Sequence, residues 1–252
     1  MLTVRLPVII ALISLAFFSC KKEDQPNSQG DLLKRIRIQE GDSIFYRSFL
    51  YDDQNTLTAI FDSNNNGYKR SFIITYDAQG KIANVATSAS TYTFEFDNKG
   101  RITKKLAKVT GQQTVNVENT YSYDNSGRLM ADSVYSYWRK EVDRIVSYSY
   151  DQSSNVIESK TVDKGTGALL VQEQCTYDNH PNPLDGKKVM TYLLSSSYEI
   201  PLQGKNNLLK EIYQDGTTVI YTYEYLSNGL PKRCSFQDNV DPLVTFIDYY
   251  YE

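Results

Sequence analysis

Residues 117–136, VENTYSYDNSGRLMADSVYS, hold the pattern that decides the fold. Tyrosine alternates with polar residues before a short turn, Asp124 to Gly127, and aliphatic residues follow it. Alternation at period two is typical of a strand with one buried face and one wet face. Asp can hydrogen-bond its own backbone and Gly adopts a positive φ, so the segment predicts two antiparallel strands joined by a tight turn.

The same unit recurs along the chain. Each copy has an aromatic residue, usually Asp, two or three turn residues, often Gly and a basic residue, and an aliphatic residue. The aromatic positions are Tyr51, Tyr76, Phe96, Tyr123, Tyr150, Tyr177 and Tyr225. Less regular polar turn segments lie about halfway between the copies, so each repeat unit is predicted to form two strands. The whole chain is therefore predicted to be an all-β antiparallel meander of roughly 14–18 strands. A sheet this wide curls or closes because long free edges are a liability, so we expect an open curved sheet or a closed barrel.

The N-terminus has a different composition. An uncharged apolar run, Leu6 to Phe18, ends just before Cys20. The run is shorter than the roughly 20 residues of a membrane-spanning helix and has the form of a secretory signal. We expect residues 1–19 to be a signal peptide, residues 20–31 a flexible stalk, and residues 32–252 one β domain. An ordinary cleaved signal or a membrane-tethering helix is the alternative.

Composition excludes one class of partner. The chain has 27 basic and 30 acidic residues, and losing residues 1–19 would remove one arginine, which changes the formal charge from −3 to −4. Nucleic-acid binding needs a basic stripe, so no nucleic-acid partner is expected. The mean hydropathy of −0.47 indicates a water-facing domain.

The repeated Tyr-Asp-x-x-Gly-Arg-Leu unit resembles the YD, or RHS-like, repeat of large secreted shell proteins. The chain is more similar to Bacteroidota lipoproteins of unknown function with a porin-like β fold, over about residues 32–252. The segment from Tyr177 to Pro183 matches their Tyr-Asp-x-x-Pro-Asn-Pro turn, and Asn206-Asn207 matches their later Asn pair. This resemblance implies acylation of Cys20 and a lipid anchor on the outer membrane, facing the cell surface or the periplasm. Several copies depart from the repeat, and no toxin activity is carried over.

Catalytic patterns are sparse. The single histidine, His180, lies in a turn, where a triad or a zinc site would need further partners at fixed spacing. The segment from Asp62 to Gly67 matches the start of a calcium loop, but Ile73 stands where that loop needs Glu, so a polar hairpin loop is the better interpretation. The repeated acids lie at turns and have a structural reason there. We expect no catalytic residue, no metal and no cofactor.

Two residue types remain as candidates. Rows of tyrosine either fill the core or stack on a flat ligand such as a sugar. The candidates for stacking are Tyr121, Tyr123, Tyr148, Tyr150, Tyr221 and Tyr223. Cys175 and Cys234 are predicted to be two separate buried thiols, with a disulfide between them as the alternative.

The sequence therefore predicts a lipid-anchored, water-facing, non-catalytic protein that binds a glycan or a protein partner. A structural scaffold without a small ligand is the alternative, and a hydrolase is less favoured. The oligomeric state stays open. An integral outer-membrane barrel would need an apolar outward face, whereas here we expect the apolar face to point inward.

Overall fold

The computed structural model describes residues 31–112, 114–137, 140–186 and 204–252. In these ranges the chain forms sixteen antiparallel strands that close into a barrel. The strands are β1 Leu33–Glu40, β2 Ser43–Tyr51, β3 Leu57–Asn64, β4 Lys69–Tyr76, β5 Ile82–Ala86, β6 Ser90–Phe96, β7 Ile102–Val109, β8 Val117–Tyr123, β9 Leu129–Ser136, β10 Glu141–Tyr150, β11 Val156–Asp163, β12 Leu169–Pro181, β13 Asn206–Tyr213, β14 Thr218–Tyr225, β15 Pro231–Asp238 and β16 Thr245–Tyr251. Each strand pairs with its sequence neighbours, and β1 pairs with β16, where Ile38 lies opposite Ile247. The predicted meander is confirmed, and of the two forms left open the barrel is closed. No helix in the described ranges is long and apolar enough to cross a membrane.

The repeat forms the turns at one end of the barrel, which we term the turn end. In a typical copy, Asp77 Oδ1 accepts hydrogen bonds from the backbone N–H of Gln79 and of Lys81, each at 2.9 Å. The residue before the basic position adopts a left-handed conformation, as Gly80 does with φ 75°. Where Gly is missing, Asn55 and Ser154 take the same conformation, with φ 60° and 70°. The turn geometry therefore persists through the departures from the motif.

A register shift follows each of these turns. In the pairing of β2 with β3, Leu50 lies opposite Ala59 but Tyr51 lies opposite Leu57, so one residue of β3 is extra. Pairings β4–β5, β6–β7, β8–β9, β10–β11 and β14–β15 have the same shift at the same place. A bulge bends the strand and increases its twist. Regular bulges at one end give the sheet the curvature that it needs to close.

The aromatic residues of the repeat close the turn end with a set of hydrogen bonds that we term the tyrosine ladder. Each hydroxyl donates to the backbone carbonyl oxygen of the first residue of the preceding strand. The bonds are Tyr51 to Leu33, Tyr76 to Leu57, Tyr123 to Ile102, Tyr150 to Leu129, Tyr177 to Val156 and Tyr251 to Pro231, at 2.5–2.8 Å. Phe96 has no hydroxyl to offer, and Tyr225 donates to the carboxylate of Asp178 instead. The ladder joins the open ends of the hairpins.

The basic residue of the repeat links one turn to the next. Arg101 Nε donates to Asp97 Oδ2 at 2.7 Å, and a second nitrogen of Arg101 reaches the carbonyl oxygen of Asp124 at 3.4 Å. Arg128 repeats both contacts one unit later, to Asp124 and to the carbonyl oxygen of Asp151. This explains why Arg follows Gly in these copies.

The core lies on the inner face of the barrel. Ile36, Ile60, Phe72, Val85 and Ile247 are all 0% exposed and belong to one hydrophobic cluster. Side chains facing an open lumen would touch water, so packed side chains fill this part of the barrel. Around β6–β10 the inner-facing side chains are mostly only half-buried.

The outer wall carries both charged and apolar side chains. Arg37 on β1 and Arg233 on β15 both pair with Asp248 on β16, at 3.1 and 2.6 Å. Exposed apolar side chains also occur, such as Leu50 and Ile73. Ion pairs in the middle of strands interrupt the apolar band that a lipid-facing wall requires. The expected orientation, with the apolar face inward, agrees with this arrangement.

Candidate functional site

The structure places all six candidate tyrosines on the inner face. Tyr121 and Tyr221 are only 8% and 7% exposed, so their rings are already covered by protein. Tyr123 and Tyr150 belong to the tyrosine ladder. Tyr223 stacks on the ring of Tyr225, at 5.7 Å between centroids. These contacts give the tyrosines a structural reason to be there.

Two of the six tyrosines donate to half-buried carboxylates. Tyr148 donates to Asp132 Oδ2 at 3.2 Å, and Tyr221 donates to Glu211 Oε2 at 2.8 Å. Burial raises the pKa of both phenols, and the neighbouring carboxylate raises it further. Both hydroxyls therefore keep their protons and act as donors.

The two cysteines are free buried thiols, with no bond between them. Cys175 lies on β12 and Cys234 on β15, so two strands separate them in the sheet. Burial raises the pKa of Cys234 to about 12. The Cys175 thiol donates to Glu173 Oε1 at 3.1 Å, and burial together with that carboxylate raises its pKa. Neither thiol is poised to react as a thiolate.

The most unusual polar group on the inner face is the pair of carboxylates around Cys175. Glu173 lies two residues before Cys175 on β12, and Glu211 lies opposite Cys175 on β13. Ligand atoms of the three side chains lie within 4.8 Å of one another. Ser159 and Tyr213 complete the surroundings, with hydroxyls 3.2 Å from Glu173 and 3.3 Å from Glu211.

Electrostatics distinguish Glu211 from a surface acid. Burial, and then the charge of Glu173, raise the pKa of the Glu211 carboxyl to about 7. Two adjoining carboxylates with a thiol could hold a cation, and they could equally share a proton. A hydrolase needs its acids in a cleft that substrate can enter, whereas this pair lies on the inner face of the wall.

This pair was not predicted from the sequence, because only the acids at the turns were considered there. A signal was present, since Glu173 alternates with Cys175 and Tyr177, and Glu211 alternates with Tyr213. Period two places these acids on the same face as the buried residues. That signal predicts burial, but not that the two acids meet.

The other sequence candidates have structural partners. His180 stacks on Tyr225 at 4.0 Å between ring centroids, and its backbone N–H donates to Asp178 Oδ1 at 2.9 Å. Asp62, the first residue of the calcium-like segment, is 4% exposed and accepts two hydrogen bonds from Arg47, at 2.7 and 2.8 Å. His180 lies within β12 and not in the predicted turn, because β12 continues to Pro181 and pairs there with β13, whereas Asp62 has a structural partner in Arg47.

The outer wall has a groove of about 540 Å³ across β10–β13. Ile157 and Ile212 supply its apolar surface, and Ser149, Gln174, Thr176 and Lys210 supply hydroxyl, amide and ammonium groups. Such a mixture of apolar and hydrogen-bonding groups suits an amphipathic ligand. Because side chains alternate along a strand, the groove lies on the opposite side of the wall from Glu173 and Glu211.

No protein-family model matches the chain, and comparison with curated proteins gives no significant match. Solved structures that resemble it include two porin-like proteins. A porin-like protein from Bacteroides uniformis has a TM-score of 0.61 and 14% identity, covering 87% of this chain and 96% of that one. A porin-like protein from Bacteroides vulgatus has a TM-score of 0.55 and 13% identity, covering 88% and 98%. At this identity the likeness shows the fold alone, a porin-like antiparallel barrel.

Proposed function

We propose that this chain is a lipid-anchored, water-facing lipoprotein with a non-catalytic binding role, served by the outer wall of its barrel. The groove across β10–β13 is the observation that carries the proposal. Packed side chains fill the inner face at β1–β5, whereas the groove is unfilled and is lined by apolar and hydrogen-bonding groups. A glycan or a protein segment has the amphipathic chemistry to occupy it.

The anchor is part of the same proposal. Cys20 lies outside the described residues, and the support for its acylation is the signal-like sequence before it. A multiply acylated cysteine would hold the barrel stably at the membrane, because two or more acyl chains suffice for permanent attachment. We expect the full chain to incorporate labelled palmitate and to fractionate with outer membranes. Cys20→Ser would be unlabelled and soluble, and a labelled variant would refute the assignment of Cys20.

Binding is tested with residues 31–252 on a glycan array and in a pull-down with purified candidate proteins. We expect Lys210→Glu, in the groove, to weaken binding at least about tenfold, which corresponds to 1.4 kcal/mol. Lys69→Glu makes the same charge change at an exposed position at the start of β4 and should leave binding unchanged. Equal losses in both variants would refute the groove. A stable protein complex without glycan binding would overturn the carbohydrate alternative.

Stacking on the inner-face tyrosines is the alternative mode of binding. Tyr148 is the best variant for it, because its hydroxyl contacts a side chain and no ladder carbonyl. If Tyr148→Leu abolishes ligand binding while Lys210→Glu still binds normally, the binding site lies in the lumen and not in the groove.

A structural scaffold is the second candidate function. The packed inner face and the tyrosine ladder favour it, since both stabilise the barrel without leaving space for a ligand. A stable barrel that binds neither glycan nor protein in these assays supports the scaffold.

A further inference from the structure

The carboxylates of Glu173 and Glu211 lie within 4.8 Å of each other on the inner face of β12 and β13. The groups around them come from every adjoining strand. They are Tyr148 on β10, Ser159 on β11, Cys175 and Tyr177 on β12, Tyr213 on β13 and Tyr221 on β14. All of these are hydroxyls or thiols, and none of them carries a positive charge at neutral pH.

The nearest lysines on these strands do not balance the pair. Lys160 on β11 pairs with Glu158 at 2.9 Å, and both alternate with the inward-facing Ser159. Lys210 is next to Glu211 in sequence and therefore points to the opposite face, where it lines the groove. Among the described residues of β11 and β13, these two lysines therefore do not balance the inward carboxylates.

Burial, and then the adjoining charge of Glu173, disfavour the ionised form of Glu211. Each hydroxyl or thiol group that donates to the pair forms its hydrogen bond with one carboxylate oxygen atom, and none of these donors carries a charge that would neutralise a carboxylate. A proton between the two acids removes one charge and supplies a hydrogen bond, which is the usual outcome for such pairs.

We propose that the folded barrel holds one proton between Glu173 and Glu211, and that losing this proton above neutral pH loosens the pairing of β12 with β13. This inference stands on the inner-face geometry and does not depend on the proposed function. Burial and the charge of Glu173 raise the pKa of Glu211 to about 7, which supports it. The pairing is already irregular here, with register shifts on both sides of Tyr177.

The sign of the effect follows from linkage. The pKa of Glu211 is higher in the folded barrel than the ordinary value of 4.5. The folded state therefore binds the proton more tightly, and its stability falls as pH rises from about 4.5 through about 7. The local consequence is a weaker β12–β13 pairing at pH 8 than at pH 5.5.

The test is hydrogen–deuterium exchange of residues 31–252 at pH 5.5 and pH 8, corrected for intrinsic exchange. In the wild-type protein we expect protection of β12 and β13 to fall at least about tenfold at pH 8, because one pKa unit is a tenfold change. Glu211→Gln keeps the shape and a hydrogen-bonding group without a charge, so it should abolish this pH dependence. Glu158→Gln removes an outward acid from neighbouring β11 and should retain it.

A second measurement covers the case in which Glu211→Gln does not fold. Carboxyl carbon NMR of the wild-type protein should show a glutamate that titrates near pH 7. If every glutamate titrates below pH 5, or if Glu211→Gln keeps the wild-type pH dependence, the shared proton is refuted. Stoichiometric Zn²⁺ binding at pH 8 that Glu211→Gln abolishes would also overturn it, in favour of a metal site.

Discussion

Replacing Tyr76 with phenylalanine removes one hydroxyl from the tyrosine ladder and little else. That hydroxyl donates to the carbonyl oxygen of Leu57 at 2.7 Å, across the open end of the β3–β4 hairpin. Burial raises the pKa of Tyr76, so the hydroxyl is a neutral donor over the whole working range of pH. The ring can stay in place because phenylalanine has the same shape.

The expected cost follows from the exposure of the two partners. A neutral hydrogen bond contributes about 0.5–1.5 kcal/mol net, and a carbonyl left dry costs about 1–3 kcal/mol. Tyr76 is half-buried, so water can reach part of the site, and Leu57 is 8% exposed. We expect Tyr76→Phe to lower the free energy of unfolding by about 1–2 kcal/mol.

The chain supplies a matched reverse change. Phe96 occupies the equivalent position in the third copy, at the end of β6, and the preceding strand begins at Ile82. Phe96→Tyr would add the missing hydroxyl opposite the carbonyl oxygen of Ile82. We expect it to raise stability by about 0.5–1 kcal/mol.

Urea unfolding of residues 31–252, followed by circular dichroism, measures both changes. An unaltered denaturant slope with a shifted midpoint would show that stability has changed without a change in the unfolded state. The two variants should shift the midpoint in opposite directions. If Tyr76→Phe changes stability by less than about 0.3 kcal/mol, or both variants destabilise equally, the ladder does not stabilise the barrel.

Four further substitutions test the turns, the buried ion pair and the irregular connection in the same assay. Ser154→Gly should stabilise by about 0.5–1 kcal/mol because φ is 70° there, and Asn55→Gly should gain less because Asn tolerates φ 60° better. Arg47→Ala should cost about 3–5 kcal/mol by leaving its buried carboxylate partner unpaired. Gly204→Ala should destabilise the barrel, because φ is +139° and the added Cβ would lie 2.8 Å from the Tyr177 ring. A neutral Gly204→Ala, a neutral Arg47→Ala or a destabilising Ser154→Gly would contradict the corresponding geometry.

Much of the fold was predictable from local pattern. The copy at Tyr76 shows why, since Asp77 and Gly80 specify a turn by their own backbone chemistry, and alternation fixes which face is buried. Repetition then gives the number of strands within a narrow range. Closure was less predictable, because the pairing of β1 with β16 joins residues more than 200 positions apart, such as Leu33 and Tyr251.

The candidate site was much less predictable, because it depends on register. Glu173 and Glu211 are brought together by the pairing of β12 with β13, across a connection that the repeat does not specify. A shift by one residue would move either acid to the outer wall. The sequence predicted the inward orientation of Tyr148 and Tyr221 as members of a buried row, but not that each donates to a carboxylate.

The departure from the repeat at Tyr177 accounts for where the unusual features lie. Asp178 does not form the regular turn, and its carboxylate instead accepts hydrogen bonds from the backbone N–H of Asn207, at 3.1 Å, and from the hydroxyl of Tyr225. Asp178 Oδ1 therefore contacts β13 as well as the nearby backbone N–H of His180. Because no regular repeat turn joins them, β12 and β13 can have a longer connection and register shifts in their pairing. They also carry the inward pair of acids and part of the outward groove. The regular copies explain stability, and this one irregular pairing is where the outward groove and the inward pair of acids both lie.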